Sequence, residues 1–248
     1  FCGYAAEEPG NFLQTIYPDP TTRAAVVKRL TPNLDRLAAQ SAPFLRAYCA
    51  SALCGPSRTS LMTGVPPFRS GYYMHDRHFR LYDTLKDAVT LPQQLMAHGY
   101  FTAGLAKLFH TANGIVDGPL NKDWYDARHS WSQWVNHPIG CNGGQPSKYP
   151  PPNGGLMQFG PSRLSLEESG DWLAADFTAR LLEHGTATPT ASRWGKADKT
   201  ALQTVTLPAD QPFFLGCGLF RPHLPFYAPK AFFVIERRRR SPSFARGG

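Results

Sequence analysis

Residues 90–105 constrain the fold more than any other stretch of this chain. Thr90-Leu91-Pro92-Gln93-Gln94-Leu95-Met96-Ala97-His98-Gly99 is a short helix, with Thr90 as its cap and Gly99 as its stop. Tyr100-Phe101-Thr102-Ala103-Gly104-Leu105 follows at once and reads as a buried strand. Helix leading directly to strand is the connection of a wound α/β sheet.

Other segments fit the same plan. Thr31-Pro32-Asn33-Leu34-Asp35-Arg36-Leu37 predicts a helix with Thr31 as N-cap, Pro32 as its first residue, and Leu34, Leu37 and Ala38 as a buried stripe. The longest helix is expected from Ser165 to His184, opened by a Ser165/Glu168 capping box and closed by Gly185. Its residues Leu166, Leu173, Phe177 and Leu181 recur at helical spacing and should pack on a sheet. Phe213-Phe214-Leu215-Gly216-Cys217-Gly218 is expected to be a central strand ending at a loop, and in open α/β sheets ligands bind outside such strand ends. Residues 131–161 are rich in Pro, Gly and Asn and read as long surface loops. With 42% apolar and 18% charged residues, 248 residues can bury the core of one sizeable domain rather than stay disordered.

Charge narrows the partners without choosing one. Lys and Arg outnumber Asp and Glu by 26 to 18, a formal net charge of +8, so the surface attracts anions. Four of these cations, Arg237 to Arg240, run together in the tail. No basic patch interleaved with aromatics and no nucleic-acid-binding motif accompanies them, so nucleic acid is not an expected partner. The five cysteines, Cys2, Cys49, Cys54, Cys141 and Cys217, form no CxxC and speak against a structural zinc site. No run of 18 apolar residues is present to span a membrane, and the first ten residues show neither the basic start nor the apolar stretch of a signal peptide.

The most informative stretch is Cys54-Gly55-Pro56-Ser57-Arg58-Thr59-Ser60-Leu61-Met62-Thr63-Gly64. Pro56 fits the first turn of a helix that Gly64 ends, so Cys54 should sit just before a helix N-terminus, where free N–H groups and the helix dipole favour anions. Arg58, one turn in, can add a planar donor fork suited to sulfate or phosphate oxygens.

These residues resemble the signature of the type I, formylglycine-dependent sulfatases. Further motifs of that family match in order: Thr31 to Leu37; Gly99-Tyr100-Phe101-Thr102-Ala103-Gly104-Leu105-Ala106-Lys107-Leu108-Phe109-His110; and Pro212-Phe213-Phe214-Leu215 leading to Arg221-Pro222-His223-Leu224-Pro225-Phe226. The set is most similar to the iduronate-2-sulfatase-like branch. The resemblance implies an alkaline-phosphatase-like α/β fold, with residues 1–232 as the N-terminal part of a mixed sheet flanked by helices and 233–248 as a basic low-complexity tail. It also implies that Cys54 is oxidised by a formylglycine-generating enzyme, that Arg58 steadies the aldehyde hydrate, and that Lys107, His110 and His223 line the sulfate pocket. In that chemistry one hydroxyl of the hydrate attacks sulfur and displaces the alcohol, and the other releases sulfate by elimination. Lys and His donors stabilise charge on the transferring group and the leaving oxygen. The implied partner is a sulfated small molecule or carbohydrate. The implied location of a full-length member is periplasmic or secreted.

The family also binds a divalent cation, usually calcium, through Cys54 as formylglycine, an aspartate pair after the first strand, and a distal Asp-His or Asp-Asn pair. Neither acidic pair is found in this sequence, and Asp76, Asp123 and Asp126 match neither. The expectation is therefore a chain starting just past the first pair and leaving the family pattern near Phe232. The alternative function is a catalytically inactive sulfatase-like module that binds anionic or sulfated ligands. His75, His78, His98, His129 and His184 are read as structural, although His75 is placed to reach substrate.

Overall fold

Two proline-led helices follow the first described residues. The structure, a computed structural model, describes residues 14, 17–44, 46–110, 126–135, 159–162, 164–190, 203–224 and 226–233. It divides into two compact units, Phe1–Cys49 and Ala50–Gly248. In the first unit, α1 (Pro20–Leu30) is capped by Asp19, whose carboxylate accepts the Thr22 N–H at 2.6 Å. α2 (Pro32–Ala39) begins after Thr31 with Pro32 at its first position, as its sequence predicts. Thr31, however, does not cap the backbone; its hydroxyl donates to the Asp35 carboxylate at 3.0 Å. The expected buried stripe is also corrected: Leu34 is 49% and Leu37 61% exposed, and α2 has no buried residue among those described. Periodicity defines which face of a helix is apolar, but not that a surface lies against it.

The second unit opens with α3 (Cys54–Thr63), ended by Gly64 in the left-handed conformation (φ 71°), and α4 (Pro67–Ser70). After a single 3-10 turn at Phe79–Leu81 comes α5 (Leu91–Ala97). Thr90 and Gln93 form a reciprocal capping box at its start, and Gly99 (φ 82°) turns the chain into β1 (Phe101–Ala106). Next follow α6 (Ala127–Ser130), β2 (Gln133–Val135) and β3 (Phe159–Ser162). β2 and β3 replace loop where residues 131–161 were expected to be irregular; residues 136–158 lie outside the described set.

α7 (Gly170–His184) is the long helix, but it starts five residues past the expected point. The Ser165/Glu168 box does form, closing only a turn (3.1 and 3.3 Å). Ser169, which accepts the Trp172 N–H, is the true cap. The remaining elements are β4 (Thr186–Ala187), β5 (Val205–Thr206), β6 (Phe213–Gly218), β7 (Phe226–Pro229) and α8 (Lys230–Phe233).

The architecture is α/β. β1 lies between β2 and β6 and pairs in parallel with both, while β3 pairs in parallel with β7, and β4 pairs antiparallel to β5. Among the described strands β6 thus stands at an edge of this sheet, and β1 holds the centre. Alternation along β1 separates the two faces. Ala103 and Leu105 pack under Phe177 and Leu181 of α7. On the other face, the register partners Gly104 and Gly216 leave room for the Trp131 indole: a Cβ on either would meet that ring at 3.0 Å or less. The sheet is therefore paved with glycine where a tryptophan lies flat on it. Both β1 and β6 run toward the same edge, and the loops at that edge carry the chemistry.

Candidate active site

Three segments converge where parallel strands end, the usual position of ligand sites in such sheets. Cys54 is the first residue of α3, with Leu53 as the extended N-cap, so its half-buried sulfur lies beside the unpaired amides of the first turn. The β1 exit loop brings Lys107 and His110, and the β6 exit loop brings His223. Ala106 adopts a left-handed conformation (φ 58°), which an alanine takes only under constraint; it turns the chain out of β1 directly before Lys107. Gly218 is what lets the two exits meet, since a Cβ there would fall 2.3 Å from the Lys107 backbone.

Around the Cys54 sulfur, His75 Nε2 lies at 3.5 Å and His223 Nε2 at 3.8 Å. His223 Nδ1 is 2.5 Å from the Leu224 carbonyl. A carbonyl only accepts, so this nitrogen carries a proton, and in the neutral ring Nε2 is the nitrogen that presents a lone pair toward Cys54. His110 stacks on His75 with ring centroids 3.8 Å apart and planes 9° from parallel. Burial, then the Lys107 charge, holds His75 below the ordinary histidine pKa and favours its neutral form. Lys107 is buried, its ammonium 4.2 Å from the Phe220 ring centroid. Arg58 does not point a free fork outward; its Nη1 donates to the carbonyls of Lys107 and Leu108, lacing α3 to the β1 exit loop.

The structure thus brings His75, His110 and His223 close to Cys54, places Lys107 near His75, and ties Arg58 to the Lys107 carbonyl. His75 is the functional candidate that motif reading left structural. Its one signal was the concentration of His75, Asp76, Arg77 and His78 directly after the nucleophile helix. Gly55 makes room for it, because a Cβ at that position would collide with His75 Nδ1 and the Tyr72 hydroxyl. Of the other histidines, His78 is buried and caps the 3-10 turn, while His98, His129 and His184 are exposed.

Asp126 is likewise accounted for: fully buried, it binds Arg80 through both oxygens and accepts from Ser130. Asp123, Cys2, Cys141 and the Arg237–Arg240 run lie outside the described residues. Calcium requires about six to eight oxygen ligands. Among the described residues, the groups in hydrogen-bond contact with the Cys54 sulfur are the imidazole nitrogens of His75 and His223, and Asp76 is engaged by the Tyr82 hydroxyl (2.6 Å) and Arg77 (3.7 Å). This donor set does not fit calcium. No helix among the described residues is long and apolar enough to cross a membrane.

A parallel α/β sheet with a cysteine-led helix, a lysine and three histidines at its strand ends is the class of arrangement found here. The family model described as Sulfatase matches residues 17–242, and the chain belongs to the sulfatase family. A protein named sulfatase from Formosa agariphila is 32% identical over 217 residues, covering 83% of this chain and 36% of that protein. Mouse iduronate 2-sulfatase is 31% identical over 202 residues, covering 82% and 32% respectively. Human N-acetylgalactosamine-6-sulfatase is 29% identical over 231 residues, covering 86% and 38%. The chain spans between about a third and two fifths of the length of these relatives. A solved structure described in complex with its substrate D-glucosamine-2-N,6-O-disulfate has a TM-score of 0.46 at 18% identity, covering 87% of this chain and 34% of that one.

Proposed function

We propose that this chain carries the nucleophile-bearing part of a sulfuric ester hydrolase, with Cys54 as the precursor of a formylglycine. The observation that carries the reading is the Cys54 sulfur at the start of α3 with two imidazole Nε2 atoms at 3.5 and 3.8 Å, in a chain of the sulfatase family. Formylglycine, as its hydrate, supplies a hydroxyl nucleophile at position 54 and a second hydroxyl for release of sulfate. His223, with its lone pair at Nε2, takes the nucleophile's proton. His75, held below the ordinary histidine pKa, relays a proton from solvent water to the leaving oxygen. Lys107 and the α3 amides face the sulfonyl oxygens and stabilise the charge that builds there. Arg58 fixes the distance between α3 and the Lys107 segment.

The relatives' names, iduronate 2-sulfatase and N-acetylgalactosamine-6-sulfatase, support a sulfated carbohydrate as the substrate class. Calcium, the metal implied by the family resemblance, has no described ligand set here, and no step above is assigned to it. That same nitrogen-rich pocket favours a second reading, an anion-binding module without turnover.

Coexpression with a formylglycine-generating enzyme separates the two. The proposal expects peptide mass spectrometry to find the aldehyde at position 54, hydrolysis of an aryl sulfate by the converted chain, and loss of both in Cys54→Ala. Sulfate binding by the converted chain without any hydrolysis would establish the module instead.

A further inference from the structure

The donor set that rejects calcium is one that a softer cation accepts. We propose that the unmodified, thiol form of this chain binds a zinc ion at Cys54, His75, His110 and His223. Zinc with a Zn–S bond of about 2.3 Å and Zn–N bonds of about 2.0 Å holds sulfur and nitrogen about 3.5 Å apart in tetrahedral geometry. The Cys54–His75 separation is 3.5 Å and the Cys54–His223 separation 3.8 Å, so these two edges stand near that length without rearrangement. Ligand atoms of Cys54, His75 and His110 all lie within 4.8 Å of one another. His110 reaches the ion by tilting out of its parallel stack on His75, and His223, which stands outside this mutually close set, becomes the fourth ligand by shifting toward it.

The surroundings of these donors support ligation on independent grounds. Ligating histidines characteristically donate their second ring nitrogen to a carbonyl or carboxylate, and His223 Nδ1 donates in this way to the Leu224 carbonyl, leaving Nε2 to bind. Binding would displace one proton from the Cys54 thiol, and the thiolate supplies the site's anionic donor. The aldehyde form has no thiolate to offer, so the metal site and the formylglycine would exclude each other. This inference concerns the chain as its genes encode it and does not rest on the hydrolase reading.

The test is anaerobic titration of cobalt(II), zinc's spectroscopic substitute, into reduced, metal-stripped chain produced without a formylglycine-generating enzyme. The expected result is one equivalent bound, with a thiolate-to-cobalt charge-transfer band and the intense visible absorption of tetrahedral cobalt, both removed by added zinc. Loss of even an outer partner of a metal ligand costs about 10- to 100-fold in affinity, so Cys54→Ser and His75→Ala should each weaken binding by roughly 100-fold or more. Zinc loading should also shield Cys54 from alkylation. A second comparison avoids any folding defect in the variants: conversion of Cys54 to the aldehyde should abolish the charge-transfer band. A band that persists after conversion, a weak octahedral spectrum, or no binding by the thiol form would overturn the site. Aryl sulfate turnover by the converted chain is read separately, so either proposal can fail alone.

Discussion

Cys49 is exposed, whereas Cys54 and Cys217 are half-buried. Cys217, on β6 beneath α7, has its thiol pushed above the ordinary cysteine value by burial, only partly countered by a hydrogen bond with Thr178. The thiolate is the reactive species, so a raised pKa lowers its fraction at any given pH. Cys217 should therefore alkylate more slowly than exposed Cys49 at about pH 8, and its rate should keep climbing above the ordinary value near 9. Peptide mass spectrometry after timed labelling checks this; equal rates at the two positions would mean that Cys217 is not shielded. Residue chemistry of this kind was not legible in the sequence, where the two cysteines look alike. His75 is the same lesson at the active site. It lies 21 positions from Cys54 in a loop with no motif, and only the fold reveals that its Nε2 reaches the sulfur.

Elements are held in place by polar contacts that the sequence hardly advertises. Arg80 and Asp126 are 6% and 0% exposed, and the arginine also donates to the carbonyls of Lys86 and Ala88 and to Gln93. This pair ties the 3-10 turn, α5 and α6 together. Asp126→Ala strands a buried guanidinium and should cost about 3–5 kcal/mol in denaturant unfolding. The double variant Arg80→Met/Asp126→Leu should lose less, because neither charge is left alone; a double variant worse than the single one would contradict that account. A second contact positions the site. Asp171, in the first turn of α7, accepts the Phe220 and Arg221 N–H groups at 2.7 and 2.9 Å and so anchors the loop that carries His223. Displacement of a reacting group by about 1 Å can cost 100-fold. Asp171→Ala should accordingly lower kcat of the converted chain by roughly 10- to 100-fold with KM little changed, and Asp171→Asn, which keeps one acceptor oxygen, should fall between. An equal loss in kcat and thermal stability across both variants would show a merely structural role. Caps and apolar runs made α3, α5, β1 and β6 legible, since Gly64, Thr90 and Gly99 act locally. The start of α7 was not, because the Ser165/Glu168 box and the Ser169 cap lie four residues apart and both form, the first closing only a turn ahead of the helix.

At the scale of the molecule, the sequence made the α/β class and the meeting of Cys54, Lys107, His110 and His223 legible through ordered motifs. The exposure of Leu34 and Leu37 was not legible, because it depends on what lies against a helix rather than on the helix itself. Net charge is the property that no single element owns. The chain carries a formal +8, and two of the cations it counts, Arg58 and Lys107, belong to the segments around Cys54. Distributed charge acts over distances that salt screens, the Debye length being about 10 Å at 0.1 M and about 3 Å at 1 M, whereas contacts inside a partly buried pocket are screened less. A ligand with one sulfate engages mainly the pocket, while one with several also feels the surrounding field. Binding of a polysulfated oligosaccharide should therefore weaken steeply as salt rises from about 0.05 to 0.5 M, and binding of a monosulfated aryl ester only slightly. Calorimetric titrations of both ligands across that series measure the two slopes. Parallel slopes would show that the pocket alone recognises sulfate and that the excess positive charge takes no part in it.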